Sequence, residues 1–307
     1  MYSGLKSGVQ RSWLFQPPDS EIMSELVQNL SHRPGDQIRG RLATFTGMNI
    51  PNSVNWSDLQ VYDYSLLDKI DNDMRKAGFW INSIPTLTEY NSHITPRFYY
   101  LTTEFLAKPG DQQIRSMMTL RSLNPKILEV LGITHVVTDS INSSLSLLVS
   151  DQRVDPPIYL YKLEESNTSG FSPVNLVYPD NIREAVKLMK SDDFDFKSTV
   201  TVEEPLNIDA ELVAATESTI TANNGSYRVT AKSNGRSILV LPIEYSSCFD
   251  VTNYGSPDSL LKVFPGNTLL MSVLFNNELD IDLKYSNGPF KNSSCRLNDY
   301  DEFKQRF

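Results

Sequence analysis

The chain has 307 residues and a formal net charge of −9, from 28 Lys and Arg against 37 Asp and Glu. Its acidic surface would repel a phosphate backbone, and no Lys/Arg-rich run occurs, so nucleic acid is not expected as a partner. Hydrophobic residues make up 40% of the chain, which is typical of a globular protein with a packed core. Its apolar runs are too short for a transmembrane helix, which needs about 20 apolar residues.

The first predicted helix follows PPDS, with Ser20 as its cap and with Ile22, Leu26 and Leu30 on one face. The strand-like stretch QIRGRLATF comes next. The region from residue 48 to residue 91 has poor periodicity and predicts loops and short helices.

Two further helices are predicted before the middle of the chain. The first is capped by Asp111 and runs through Ile114 to Leu120, and the second begins at Asn124 with Pro125 and ends at Gly132. Three strands are predicted after them, with the sequences ITHVVTD, SLSLLVS and PIYLYKL.

A fourth helix is predicted after Asp180, with its apolar face formed by Ile182, Ala185, Val186 and Met189. Together with the preceding elements it indicates a small mixed α/β domain covering residues 1–195.

From residue 196 onward the period changes to two, and no helix is indicated until the last residues. Eight strand candidates occur: TVTVEE, ELVAATESTITA, GSYRVTAKS, RSILVLPIEY, CFDVT, LLKVF, TLLMSVLF and ELDIDLKY. Asn234 and Gly235 predict a type I′ hairpin turn between the third and the fourth. The sequence therefore predicts an α+β fold, with an antiparallel, jelly-roll-like β-sandwich over residues 196–307.

The two cysteines, Cys248 and Cys295, have neither CxxC spacing nor enough companions for a zinc site. They are either two separate buried thiols or a disulfide that fixes the C-terminal segment. The disulfide would require an oxidising compartment.

Sequence patterns for catalysis are weak. DxD-like triplets begin at Asp193, Asp280 and Asp299, but such triplets arise readily in an acidic chain. His135 and Asp139 could share a strand face, yet no GxSxG motif completes a triad. His135 is better explained as a core histidine, and neither a cofactor nor a metal is expected.

The region of poor periodicity contains four aromatic residues beside polar ones: Trp56, Tyr62, Tyr64 and Trp80. Ring faces next to hydrogen-bonding groups suit a carbohydrate site. The alternative is that these rings cover the core beneath long loops.

Three consecutive segments carry a family resemblance: SLNPKILEVLGITHVVTDS, PPIYLYKLEE and FSPVNLVYPDNIREAVKLMKSDDFD. They resemble the extracytoplasmic soluble domain of YfhO-like, GT-C-type bacterial multi-spanning membrane proteins. RGRLATFTGMNIPN and SILVLPIEYSSCFDV are similar to parts of the same family, although Cys248 or Phe249 stands where a Trp is common.

The resemblance implies a non-catalytic domain at the extracytoplasmic face of the cell membrane. Its partners would be the membrane-embedded remainder of the same polypeptide and a glycan or lipid-linked sugar. No residue matches the acidic catalytic loops of such glycosyltransferases, so no catalytic residue is assigned. The alternative function is a soluble carbohydrate-binding or carbohydrate-active protein.

Overall fold

The fold is α+β in a computed structural model of the chain. The structure describes residues 20–45, 47–48, 79, 82–87, 95–109, 111, 113–114, 117–118, 120–152, 156–206, 208, 210–255, 261–286 and 294–307.

The described helices are α1 (Glu21–Leu30), α2 (Pro96–Leu106), α3 (Pro125–Val130), α4 (Ile182–Met189) and α5 (Ser294–Arg306). The strands before residue 196 are β1 (Arg41–Phe45), β2 (Gln113–Ile114), β3 (Met117–Met118), β4 (Ile133–Thr138), β5 (Ser146–Asp151), β6 (Ile158–Lys162) and β7 (Asn175–Val177). The strands after it are β8 (Thr199–Thr201), β9 (Glu217–Asn223), β10 (Ser226–Glu244), β11 (Phe249–Asn253), β12 (Leu261–Gly266) and β13 (Leu270–Tyr285).

A four-stranded sheet with the order β1-β4-β6-β5 forms the N-terminal part. β1 and β4 are parallel, and the other two pairings are antiparallel. Alternation along the strands separates two buried faces. Leu42, Val137 and Leu160 pack against α1, whereas Ala43 and Val136 face the main core with α2 and α3.

Two long strands, β10 and β13, are the spine of a five-stranded antiparallel sheet. β9 pairs with the first part of β10, while β11 and β12 pair with opposite ends of β13. The odd-numbered apolar residues of both strands lie in one cluster along their whole length, as expected for a period of two.

The even-numbered face of this ladder changes character along its length. In the outer half (226–232 with 278–285), Arg228, Thr230 and Lys232 are exposed. In the inner half (238–243 with 270–275), Ile238 and Val240 are buried in the main core with α2, α3 and α4. The inner half is therefore buried on both faces.

The main core contains residues from both sides of position 195, such as Ala185 and Val240. In addition, β7 pairs with β8 in parallel across that position. The division of the chain into domains 1–195 and 196–307 stays a prediction.

The predicted hairpin at Asn234–Gly235 is wrong. Both residues lie inside β10, at a register irregularity between Lys232 and Arg236. Apolar alternation continues on both sides of the pair, and β13 is long enough to accompany it, so the ladder bulges instead of turning. Two pairs of strand candidates accordingly merge into β10 and β13.

A tight turn is formed by a different Asn-Gly pair, ten residues earlier. Asn224 and Gly225 connect β9 to β10, with Asn223 paired to Ser226. Gly225 has a φ of 79°, which glycine adopts without steric penalty.

The helix predicted after Asp111 is also wrong, because β2 and β3 occupy that region as a short antiparallel pair. Instead of capping a helix, the Asp111 carboxylate accepts a hydrogen bond of 2.7 Å from Nε of the buried Arg121. The helix nearby is α2, capped by Thr95 with Pro96 in its first turn. This helix was not predicted.

The remaining helices of the first half agree closely with their predictions. Ser20 caps α1 by accepting a hydrogen bond from the backbone N–H of Met23. The apolar face predicted for α4 is buried, although its cap is Asn181 rather than Asp180.

Candidate functional site

The aromatic residues predicted to bind carbohydrate, Trp56, Tyr62, Tyr64 and Trp80, lie outside the residues that the structure describes. Their assignment stays a prediction.

Cys248 and Cys295 form a disulfide, with their Cα atoms 5.1 Å apart. Cys248 is buried just before β11, and Cys295 lies in the first turn of α5. The Ser247 hydroxyl also donates to the Cys295 carbonyl oxygen at 2.8 Å. The disulfide and this hydrogen bond fix the first turn of α5 to the segment between β10 and β11.

His135 is buried in β4, where its Nδ1 lies 3.0 Å from Thr134 Oγ1. Burial lowers the pKa of His135 to about 4, so the ring is neutral at pH 7. The Asp139 carboxylate accepts hydrogen bonds from the backbone N–H groups of Gly47 and Met48. His135 is thus a core histidine, and Asp139 fixes the loop after β1.

Asp280 and Asp282 flank Ile281, which is completely buried, so the two carboxylates lie on the opposite, outer face of β13. Both residues are half-buried on that face, in the alternation expected for a strand. Among the residues described, no group of three His, Cys, Asp or Glu side chains could hold a metal ion.

A densely connected polar site lies around Arg97, whose side chain is 3% exposed. Its guanidinium forms a bidentate ion pair with Glu203 and donates to the Thr268 carbonyl oxygen at 2.7 Å. A second carboxylate, that of Glu302, lies 3.3 Å from Nη2. We call Arg97, Glu203, Thr268 and Glu302 the Arg97 centre.

Four parts of the chain meet at the Arg97 centre. Arg97 belongs to the first turn of α2, and Glu203 follows β8 by two residues. Thr268 lies in the turn between β12 and β13, and Glu302 lies on α5. Burial by itself would lower the pKa of Arg97, but the hydrogen bond and negative charge of Glu203 raise it overall. Arg97 therefore stays charged and joins both halves of the chain.

A second group of ionisable side chains adjoins the Arg97 centre. Glu244, at the end of β10, accepts a hydrogen bond from the Thr95 hydroxyl. Burial raises the pKa of Glu244 to about 7, although Thr95 and Arg41 oppose the shift. Because Asp299 raises that pKa further, Glu244 can take up a proton near neutral pH.

Asp299 and Tyr245 complete this group. The Asp299 carboxylate accepts from the Ser246 hydroxyl at 2.6 Å and from the Ser247 backbone N–H at 2.8 Å. Burial raises the pKa of Tyr245 to about 12, with added effects from Glu302 and Asp299. The tyrosine therefore remains a neutral hydroxyl throughout the physiological range.

The turn at the Arg97 centre is unusual because it is buried. Asn267 and Thr268 are 2% and 0% exposed, and both have positive φ values, 47° and 67°. Turns normally run over the surface, where water satisfies their polar groups. A β-branched residue such as Thr268 rarely adopts a positive φ. Strain of this kind stores about 1–3 kcal/mol and concentrates at functional sites.

Sequence reasoning missed the whole Arg97 centre. Thr95 followed by Pro96 is a recognisable helix start and could have revealed α2. The ion pairs themselves join residues 106 and 205 positions apart. No local pattern connects residues at that separation.

Searches of the protein-family models, the curated proteins and the solved structures give no match to this chain. No described helix is long and apolar enough to cross a membrane.

Proposed function

We propose that this chain is a non-catalytic extracytoplasmic domain of a YfhO-like, GT-C-type membrane protein. In this proposal it lies at the outer face of the cell membrane and helps the membrane-embedded remainder of the polypeptide to recognise a glycan or lipid-linked sugar.

The observation that carries the proposal is the disulfide between Cys248 and Cys295. Disulfides form and persist in oxidising compartments and are rare in the cytosol, where reducing systems keep thiols free. These are the only two cysteines of the chain. A disulfide made from both of them supports a site of action outside the cytoplasm.

The location is tested in cells that produce the protein naturally. We expect the chain to sediment with membranes and to be cleaved by protease added to spheroplasts, with both cysteines resistant to alkylation before reduction. Recovery in the cytosolic fraction with two alkylatable thiols would overturn the proposal.

Glycan recognition is tested separately on the purified chain. The ligand panel consists of cell-envelope oligosaccharides and lipid-linked sugars from the same cells. Trp56→Ala and Trp80→Ala are expected to weaken binding at least tenfold, whereas Trp13→Ala, outside the predicted aromatic group, serves as the control. Equal binding by all three variants would remove the predicted aromatic site.

A second candidate function, a soluble carbohydrate-binding protein, is favoured by one surface feature. Tyr254 is 55% exposed, and the Arg228 guanidinium lies 4.5 Å from its ring centroid. Arg228 also donates to Asp280 at 2.8 Å. An exposed ring beside fixed polar groups suits a sugar. Under this alternative Tyr254→Ala abolishes glycan binding and the protein is recovered free of membranes.

A further inference from the structure

Several buried side-chain atoms have no hydrogen-bond partner among the described residues, and four of them lie close to the Arg97 centre. They are Thr201 Oγ1, Asn267 Nδ2, Thr268 Oγ1 and Ser272 Oγ. All four residues are between 0% and 2% exposed. Leaving a buried polar group unsatisfied costs about 1–3 kcal/mol, so native proteins rarely leave several together.

Backbone contacts bring these residues into one region. The Thr201 backbone N–H donates to Asn267 Oδ1 at 3.0 Å, and the Asn267 backbone N–H donates to the Thr201 carbonyl oxygen at 3.0 Å. Ser272 Oγ lies 2.1 Å from the position that a Cβ on Gly266 would take. Gly266 directly precedes the Asn267–Thr268 turn, so the four residues meet at the same turn.

The chemistry of the four atoms restricts what can satisfy them. Asn267 Oδ1 already accepts from Thr201, so its amide nitrogen faces the site only as a donor. A metal cation cannot accept from that nitrogen. The carboxylates of Glu203 and Glu302, with Arg97 as their shared cation, also disfavour an anion. The three hydroxyls can each donate or accept, so the fitting ligand is neutral and able to do both.

We propose that Thr201, Asn267, Thr268 and Ser272 form an internal hydration site, in which ordered water joins the buried turn to β8 and β13. A buried water makes about three hydrogen bonds to otherwise unsatisfied groups, so one or two molecules suffice for four atoms. The backbone of the turn already bonds to Thr201 and Arg97, and the water supplies the partners that the four side-chain atoms lack among the described residues.

The first test is a high-resolution crystal structure of the full chain. At least one ordered water is expected within about 2.7–3.2 Å of two or more of the four atoms. If the four atoms instead bond to protein groups, or face an apolar space without water, the proposal is overturned.

The second test uses the sign of a stability change. Ser272→Ala and Thr201→Val each delete one hydroxyl with little change in shape. If water satisfies the hydroxyl, each deletion lowers the thermal midpoint, by an amount on the order of 2 °C. If the hydroxyl is unsatisfied, its deletion raises the midpoint, which would contradict the proposal.

The matched control is Thr138→Val. Thr138 is 1% exposed, and its hydroxyl accepts a hydrogen bond of 3.2 Å from the Ser140 backbone N–H. This variant calibrates the loss of one satisfied buried hydroxyl. Ser272→Ala and Thr201→Val are expected to resemble it in sign and size.

Discussion

The inner and outer halves of the β10–β13 ladder are built from the same two strands, yet they lie in different surroundings. On the odd-numbered face both halves contribute to one apolar cluster. On the even-numbered face the outer half presents Arg228 and Thr230 to solvent, whereas the inner half packs Ile238 and Val240 into the main core. The difference shows that one strand can belong to two environments when a second part of the chain covers only one end of it.

The inner half should therefore be sensitive to substitutions that the outer half tolerates.

The largest effect is expected for Arg97→Met. This change removes the cation that donates a hydrogen bond to the Thr268 carbonyl oxygen, in the turn that leads into the inner half of β13. Glu203 would be left buried with an uncompensated charge, and breaking such a pair costs about 3–5 kcal/mol. Chemical denaturation measures the loss. The control is Arg228→Met in the outer half, where the exposed pair with Asp280 contributes about 0–1 kcal/mol. Equal losses in the two variants would contradict the contrast.

Removing the disulfide is expected to destabilise the outer half, because Cys248 precedes β11, which pairs with the outer part of β13. The bond closes a loop between residues 47 positions apart. A double Cys248→Ser, Cys295→Ser variant should lose about 2–4 kcal/mol of unfolding free energy. The wild-type chain under reducing conditions should match it. Hydrogen exchange should increase at β11 and α5 before it increases in the inner half, and uniform exchange would argue against this localisation.

The inner half should also depend on pH through Glu244. Its folded pKa of about 7 lies above the ordinary value of 4.5, so its contribution to stability is complete below pH 4.5 and is lost as pH rises through 7. Wild-type stability should fall by up to about 3 kcal/mol between pH 5 and pH 8 relative to Glu244→Gln. Glu217→Gln, at an exposed position on β9 opposite Lys232 of the outer half, is the control. If unfolding free energy varies with pH in the same way for wild type and Glu244→Gln, the raised pKa of Glu244 is contradicted.

The smallest effect is expected from an isosteric pair on the even-numbered face. Val240→Thr places a hydroxyl in the main core, which costs about 1–3 kcal/mol when no partner is available. Thr230→Val in the outer half should change stability by less than about 0.5 kcal/mol, since Thr230 is exposed. Thermal unfolding measures both. Tolerance of Val240→Thr would mean that the inner half is less closely packed than the structure indicates.

Much of the fold was predictable where the signals are local. Ser20 with its four-residue apolar spacing located α1, and Asn124 followed by Pro125 located α3. The strand-like segment ITHVVTD predicted β4, which is buried at every position. The turn predicted at Asn234–Gly235 is wrong because a turn-forming dipeptide also fits a bulge, and the partner strand decides between the two.

The candidate site was hardly predictable. Cys248 and Cys295 left two alternatives open, since sequence spacing does not fix the distance between two thiols. Arg97 gave no signal, because its partners Glu203 and Glu302 come from distant parts of the chain. The buried turn at Asn267–Thr268 resembles any surface turn in sequence.

The sequence by itself determined the α+β class, the exclusion of a basic surface, and the period-two pattern of the second half, because composition and periodicity reflect local geometry and average burial. The tertiary structure alone decided that four strand candidates become two long strands, that Arg97 joins four parts of the chain, and that a polar turn is buried beside it. These features depend on contacts between residues far apart in sequence, whose free energy exists only after the chain has folded.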